Sequence, residues 1–235
     1  MVERAVPARV AAAERVAAER GFGKSCIPEV GRLLRTVAAA KPDGVIAESG
    51  TGAGVGTAWL HSGLGPDARL FTVERDEELA RRAAGVFADD ERVSVLTGDW
   101  RLLEVHAPFD LFFCDGGGKR DDPQGVVDLL APGGVLILDD FTPSRHWPPR
   151  FEGEVDELRL LYLTHPALDA TEVLTTPTSS VIVAARRHRG SRTGRPWPSG
   201  TATGRSAGQP VERGAIDPSR RGTSGTVAAT GVGGR

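Results

Sequence analysis

The stretch "VIAESGTGAGVGTAWL", residues 45–60, runs from an apolar segment into four glycines at alternate positions and then into a segment of helical character. A strand that turns through bare backbone into a helix is how an open α/β sheet begins, and in such sheets ligands lie beyond the carboxyl ends of the strands. Gly50, Gly52, Gly54 and Gly56 fall at that turn. Lacking Cβ atoms, they permit unusual φ and let a ligand approach the main chain. The spacing is G-x-G-x-G. The dinucleotide fingerprint G-x-G-x-x-G needs a glycine at its sixth position, which here is Val55 counted from Gly50 and Thr57 counted from Gly52. Glu48 stands two residues before the first glycine, where it would repel a pyrophosphate and suit a cationic or amine-bearing ligand.

Working outward, apolar blocks of strand length recur at "GVIAES" (44–49), "RLFTVE" (69–74), "VSVLTG" (93–98), "DLFFCD" (110–115) and "GVLILDD" (134–140). Runs apolar on both faces are what a parallel sheet covered by helices requires. Between them "GTAWLHSGL", "DEELARRAAGVFA" and "PQGVVDLLAPGG" carry apolar residues at helical spacing, so the chain reads as a doubly wound α/β domain. Beyond the fifth strand, "FTPSRHWPPRFEG" (141–153) is too rich in proline for regular structure, and "EVDELRLLYLTH" (154–165) reads as a helix. The last two strands, "ATEVLTT" (170–176) and "SVIVAARR" (180–187), are separated by a turn short enough for antiparallel neighbours. Ahead of the sheet, "PARVAAAERVAAER" (7–20) and "IPEVGRLLRTVAAA" (27–40) read as amphipathic helices around the loop "GFGKSC" (21–26). The expected organisation is 1–43 as N-terminal helices packing on the core, 44–185 as the ligand-binding domain, and 186–235 as a tail.

That tail holds ten arginines, eleven glycines and only two acids, with little apolar material, and is expected to be disordered. It carries eight net positive charges, which leaves the first 185 residues at −10 in a chain of net charge −2. An acidic domain is poorly suited to nucleic acid, because phosphate contacts need clustered Lys and Arg; a small-molecule substrate is favoured. Cys26 and Cys114 are too few for a disulfide framework and have no C-x-x-C spacing. No run approaches membrane-span length and the N-terminus lacks a signal-peptide core, so no membrane partner and a cytoplasmic location are expected. The apolar face of the N-terminal helix offers a surface for a homodimer.

The segment "AESGTGAGVG" resembles the first motif of the class I S-adenosylmethionine-dependent methyltransferases, acid-x-G-x-G-x-G. Further landmarks agree in order over residues 25–185: Glu74 closing the second strand, Asp99 and Trp100 after the third, Asp115 after the fourth, and "LLAPGGVLILDDF" as the turn and fifth strand. The resemblance implies a Rossmann-like seven-stranded sheet of order 3-2-1-4-5-7-6 with strand 7 antiparallel. It also implies S-adenosylmethionine as cofactor, held by Glu48, Ser49, Gly50, Thr51, Gly52, Gly54, Glu74, Arg75, Asp99, Trp100 and Asp115. Glu74 would accept from both ribose hydroxyls, Asp99 would meet the adenine amino group, Glu48 would face the cationic parts, and amides at the helix start would face the carboxylate.

Within that family the pattern resembles the cation-dependent O-methyltransferases of the catechol and caffeoyl-coenzyme A type. That subfamily implies Mg²⁺ held by Asp115, Asp139 and Asp140, lowering the pKa of an acceptor hydroxyl. Two departures are visible: Asp140 stands where the subfamily has Asn, and "CDGGGKRDD" places Lys119 one residue later than the usual lysine. The alternative is that Asp139 and Asp140 are ordinary strand-end acids of a metal-independent enzyme, with Asp115 and His146, in the loop "FTPSRHWPPR", as catalytic candidates. The expected function is methyl transfer to a small-molecule hydroxyl. Its rivals are a catalytically silent cofactor-binding partner subunit and an NAD-dependent oxidoreductase.

Overall fold

In the computed structural model the described residues are 5–188. The tail expectation from residue 189 onward lies outside them. Seven strands form one sheet: β1 (Val45–Ser49), β2 (Arg69–Glu74), β3 (Val93–Thr97), β4 (Phe109–Cys114), β5 (Leu130–Phe141), β8 (Leu168–Leu174) and β9 (Ser180–Arg186). Between β5 and β8 lies a small separate ribbon of β6 (Arg150–Phe151) and β7 (Glu154–Val155). The sheet order is β3-β2-β1-β4-β5-β9-β8. Counting main-sheet strands alone, that is the expected 3-2-1-4-5-7-6. β1 to β5 pair in parallel, whereas β9 runs antiparallel to both its neighbours.

Alternation along the strands divides the core between the two faces of the sheet. Phe112 and Cys114 of β4, with Leu136 and Leu138 of β5, pack with Trp100, Tyr162 and Ile182 on one face. Leu111 and Phe113, with Ile137, pack on the other against α1 (Ala8–Arg20), α2 (Pro28–Ala39) and α3 (Val55–His61). The remaining helices are α4 (Glu77–Val86), α5 (Pro123–Asp128) and α6 (Glu157–Thr164). The segment "WRLLEV" forms a 3₁₀ turn, Trp100–His106, where Asp99 caps it by accepting from the Arg101 N–H. This is a local use of Asp99 that competes with ligand binding.

Two details position the site. Pro28 starts α2 where its missing N–H costs nothing, and Gly31 one turn later lies flat against Trp59 of α3; a Cβ there would fall 2.3 Å from the indole. Gly21 ends α1 in the left-handed conformation at φ +61°, its N–H bonding to the carbonyls of Ala17 and Ala18. The segment 22–26 is thereby held between two helix ends, over the glycine turn that follows β1. Among the described residues no helix is long and apolar enough to cross a membrane.

Candidate functional site

The glycine turn follows β1 as expected, but its amides work inward. The Gly50 and Thr51 N–H groups both donate to the Val73 carbonyl, at 3.0 and 3.1 Å, and that of Gly54 donates to Thr51 O at 2.8 Å. Gly52 N–H donates to Glu74 Oε2 at 2.7 Å. These four turn amides are taken by neighbouring acceptors, ahead of the helix start at Val55 where amides are expected to face the ligand carboxylate. The glycines make room instead. A Cβ on Gly50 would lie 2.8 Å from the Gly116 nitrogen, and one on Gly52 would lie 2.8 Å from the Phe22 ring. Both have positive φ, as does Gly54 at the start of α3.

Two cavities open beside this turn. One, of about 400 Å³, is bounded by the 22–26 segment, the glycine turn, Glu48, Asp115 and Asp140. The other, of about 240 Å³, lies between Arg75, Gly98, Trp100 and the Gly116–Gly117 backbone. Phe22, Gly50 and Glu74 line both. Glu74 is anchored by the Gly52 N–H and by the Asp76 N–H, the latter to Oε1 at 3.0 Å, so each carboxylate oxygen keeps acceptor capacity for a ligand at the junction. A third cavity, of about 520 Å³, meets the first at Asp140 and is lined by Arg120, Phe141, Phe151 and residues 154–159.

The sequence candidates divide into those that reach these cavities and those that do not. Glu48 borders the larger of the first two but is 1% exposed; the Thr57 and Thr72 hydroxyls both donate to its Oε2, the second at 2.7 Å. Burial pushes its carboxyl up to about 8, against the lowering effect of those two hydroxyls. Ser49 is fully buried and lies outside the linings, its hydroxyl donating to Gly117 O at 2.9 Å and tying the turn after β1 to the one after β4. Gly54 also lies outside, as a pivot packed near Ala83. Asp99 lines neither of the first two cavities, though its neighbours Gly98 and Trp100 border the smaller one: it is paired with Arg75 and bonded to Arg101, and the Arg75 guanidinium holds its carboxyl below the usual range. Trp100 is 2% exposed, a core residue that presents only an edge to the smaller cavity, with its Nε1 donating to Asp121. His146 is exposed and lines neither the first nor the third cavity; the proline-rich loop turns it outward.

Asp115 is the acid best placed for chemistry. It lines the 400 Å³ cavity, and burial, then Asp140 and Asp139, push its carboxyl up to about 7. Asp139 is turned onto the backbone, accepting from the Asp140 N–H at 2.8 Å. Asp140 accepts from Lys119 Nζ at 3.3 Å. Among the described residues no three His, Cys, Asp or Glu side chains are gathered as metal ligands. Of the expected Mg²⁺ set of Asp115, Asp139 and Asp140, one carboxylate thus accepts from backbone and another from an ammonium.

The whole 22–26 segment, Phe22, Gly23, Lys24, Ser25 and Cys26, lines the larger cavity and was absent from the sequence candidates for the site. The Ser25 hydroxyl is a buried polar atom without a hydrogen-bond partner among the described residues. A donor of that kind beside a cavity is matched by a polar ligand. The signal available was "GFGKSC" itself, a short glycine-flanked link between two helices.

A family model described as a methyltransferase domain matches residues 47–141, from β1 through β5. That match takes in the glycine turn, Glu48, Glu74, Asp115 and Asp140. A protein of Mycobacterium sp. (strain JLS) provisionally named an O-methyltransferase is 36% identical over 141 residues, covering 55% of this chain and 62% of the relative. A relative of the same name from Mycobacterium avium (strain 104) is 36% identical over 143 residues, 56% of this chain and 63% of its own. The matches therefore span less than two thirds of these relatives. Among solved structures, an O-methyltransferase from Bacillus cereus in complex with SAH superposes with a TM-score of 0.64 at 23% identity, over 80% of this chain and 93% of that one. An O-methyltransferase of Streptomyces achromogenes involved in tomaymycin synthesis, in complex with SAM, gives 0.63 at 21% identity over the same shares. At such identities the likeness is one of fold.

Proposed function

We propose that the chain is an S-adenosylmethionine-dependent methyltransferase acting on a hydroxyl of a small molecule. The observation that carries this reading is the shared lining. Phe22, Gly50 and Glu74 border both cavities, so one elongated ligand fits with its sugar at the junction, its base toward Gly98, Trp100 and Gly117, and its amino-acid end toward Lys24, Ser25 and Glu48. The donor set suits that group: Lys24 and the unpartnered Ser25 hydroxyl for its carboxylate, Glu48 for its ammonium group, and Glu74 for its ribose hydroxyls. The turn amides of Gly50, Thr51, Gly52 and Gly54 are already taken by protein acceptors, and Glu48 and Glu74 stand beside them, which disfavours a pyrophosphate.

When bound, the cofactor supplies an electrophilic methyl group on sulfonium sulfur. The chain's part is to bring an acceptor oxygen into line and to remove its proton. Asp115 borders the cofactor cavity, and Asp140 connects that cavity to the third, where Phe141 and Phe151 offer apolar walls for the acceptor. Asp115, poised at about 7, takes the acceptor's hydroxyl proton as the new oxygen–carbon bond forms and the sulfur–carbon bond breaks. A second copy of this chain covering α1 and α2 near the exposed Val6, and a cytoplasmic setting suited to two free thiols, complete the reading.

Labelled methyl transfer to a panel of hydroxylated aromatic and aliphatic acceptors tests it. Label should enter at oxygen and fall at least about 100-fold in Asp115→Asn. Tight S-adenosylhomocysteine binding with no transfer to any acceptor would favour a silent binding subunit.

A further inference from the structure

Lys119 is a lysine in an uncommon place. It is 5% exposed, and its Nζ donates to the Asp139 carbonyl at 2.9 Å and to Asp140 Oδ2 at 3.3 Å. Its backbone is fixed as well, since the Tyr162 hydroxyl donates to the Lys119 carbonyl at 3.0 Å. Three preceding glycines let the chain drop inward: Gly117 and Gly118 press against Trp100, and Gly118 adopts φ +98°. Asp140 turns to meet the ammonium at a backbone cost. It is left-handed, with φ +70°, at an irregularity in the pairing of β5 with β9. A non-glycine residue held in that region needs a compensating interaction, and the pair with Lys119 is one.

Lys119 thus places a buried positive charge against the Asp140 carboxylate and the Asp139 backbone, and Asp115 and Asp139 lie near enough for that charge to lower their carboxyl values. An ammonium is a compact cation with three donors and resembles a divalent ion in compensating clustered acids, without accepting the acids as ligands in a shell. From this placement we infer that Lys119 stands in for the divalent cation, making the site independent of metal and positioning Asp140 at the junction of the cofactor and acceptor cavities. Lys119 acts as a positioning residue, because it reaches the cavities through Asp140 and lines neither itself. The catalytic part of this inference rests on the proposed methyl transfer; the ion-binding part does not.

Electron paramagnetic resonance of Mn²⁺ titrated into the full-length protein reads the ion directly. The parent should leave Mn²⁺ free up to about millimolar concentration, and methyl transfer should be unchanged by EDTA. Lys119→Met removes the ammonium, leaves the acids uncompensated, and should raise Mn²⁺ affinity at least about tenfold. Should that variant be unfolded by circular dichroism, Lys119→Gln loses the same charge while keeping a donor and carries the same expectation. Mn²⁺ bound by the parent and released in Asp139→Asn would overturn the inference, as would folded lysine variants with no gain in Mn²⁺ binding. Calorimetry with S-adenosylhomocysteine on the same samples keeps the two proposals apart: failure there rejects the methyltransferase reading, whereas the Mn²⁺ result alone decides Lys119.

Discussion

At Glu48, two threonine hydroxyls and the Gly56 backbone close around a carboxyl group that water hardly reaches. Its folded-state value of about 8 lies above the ordinary 4.5, so the unfolded chain loses this proton first as pH rises. Stability from this group is therefore complete below about 4.5 and is lost progressively as pH climbs to about 8, by at most roughly 1.4 kcal/mol per pH unit. Urea unfolding across that window should show the decline, and Glu48→Gln should flatten it. Asp115 carries the matching functional dependence. A base with a value of about 7 should give a transfer rate that rises through neutral pH and then levels, and Asp115→Asn should abolish that limb. Both residues were legible as acids at strand ends. Their surroundings were not, because Thr57 and Thr72 reach Glu48, and Asp140 and Asp139 act on Asp115, from other elements that the fold brings in. Asp99 and Trp100 also hold structural places that the sequence does not specify, one as the cap of the 3₁₀ turn and the other as a core side chain that still borders the smaller cavity.

Among the elements, α6 is tied to the sheet by a buried guanidinium. Arg159 is fully buried, pairs with Asp156 at 3.1 Å and Glu172 of β8 at 3.0 Å, and lies over the Phe141 ring. Removing one member of a buried ionic group leaves its partners unpaired in a low dielectric, so Arg159→Ala should destabilise the protein by about 3–5 kcal/mol. Equilibrium denaturation would show this as a lower midpoint with an unchanged slope. Because Arg159 and Phe141 both line the acceptor-side cavity, the same variant should weaken acceptor use more than cofactor binding. The helix itself was readable from its apolar spacing. The strand pairing that gives Arg159 a partner thirteen residues away was not, since no local period encodes it.

At the scale of the whole molecule, five parallel strands, a closing antiparallel pair and two leading helices follow from apolar runs and turn residues, and the sheet has the expected order. What the pattern could not reveal is how the 22–26 link settles over the glycine turn, because that depends on the angle at which α1 and α2 pack on α3. The link splits one trough into two cavities that share Glu74, and the account stands on that shared carboxylate. Titration calorimetry of S-adenosylhomocysteine into the parent and into Glu74→Ala tests it most directly. A charged acceptor of two ribose hydroxyls predicts a roughly 10- to 100-fold loss of affinity in the variant with its circular dichroism unchanged. Equal affinity in a folded Glu74→Ala, or no binding by the parent, would contradict the account.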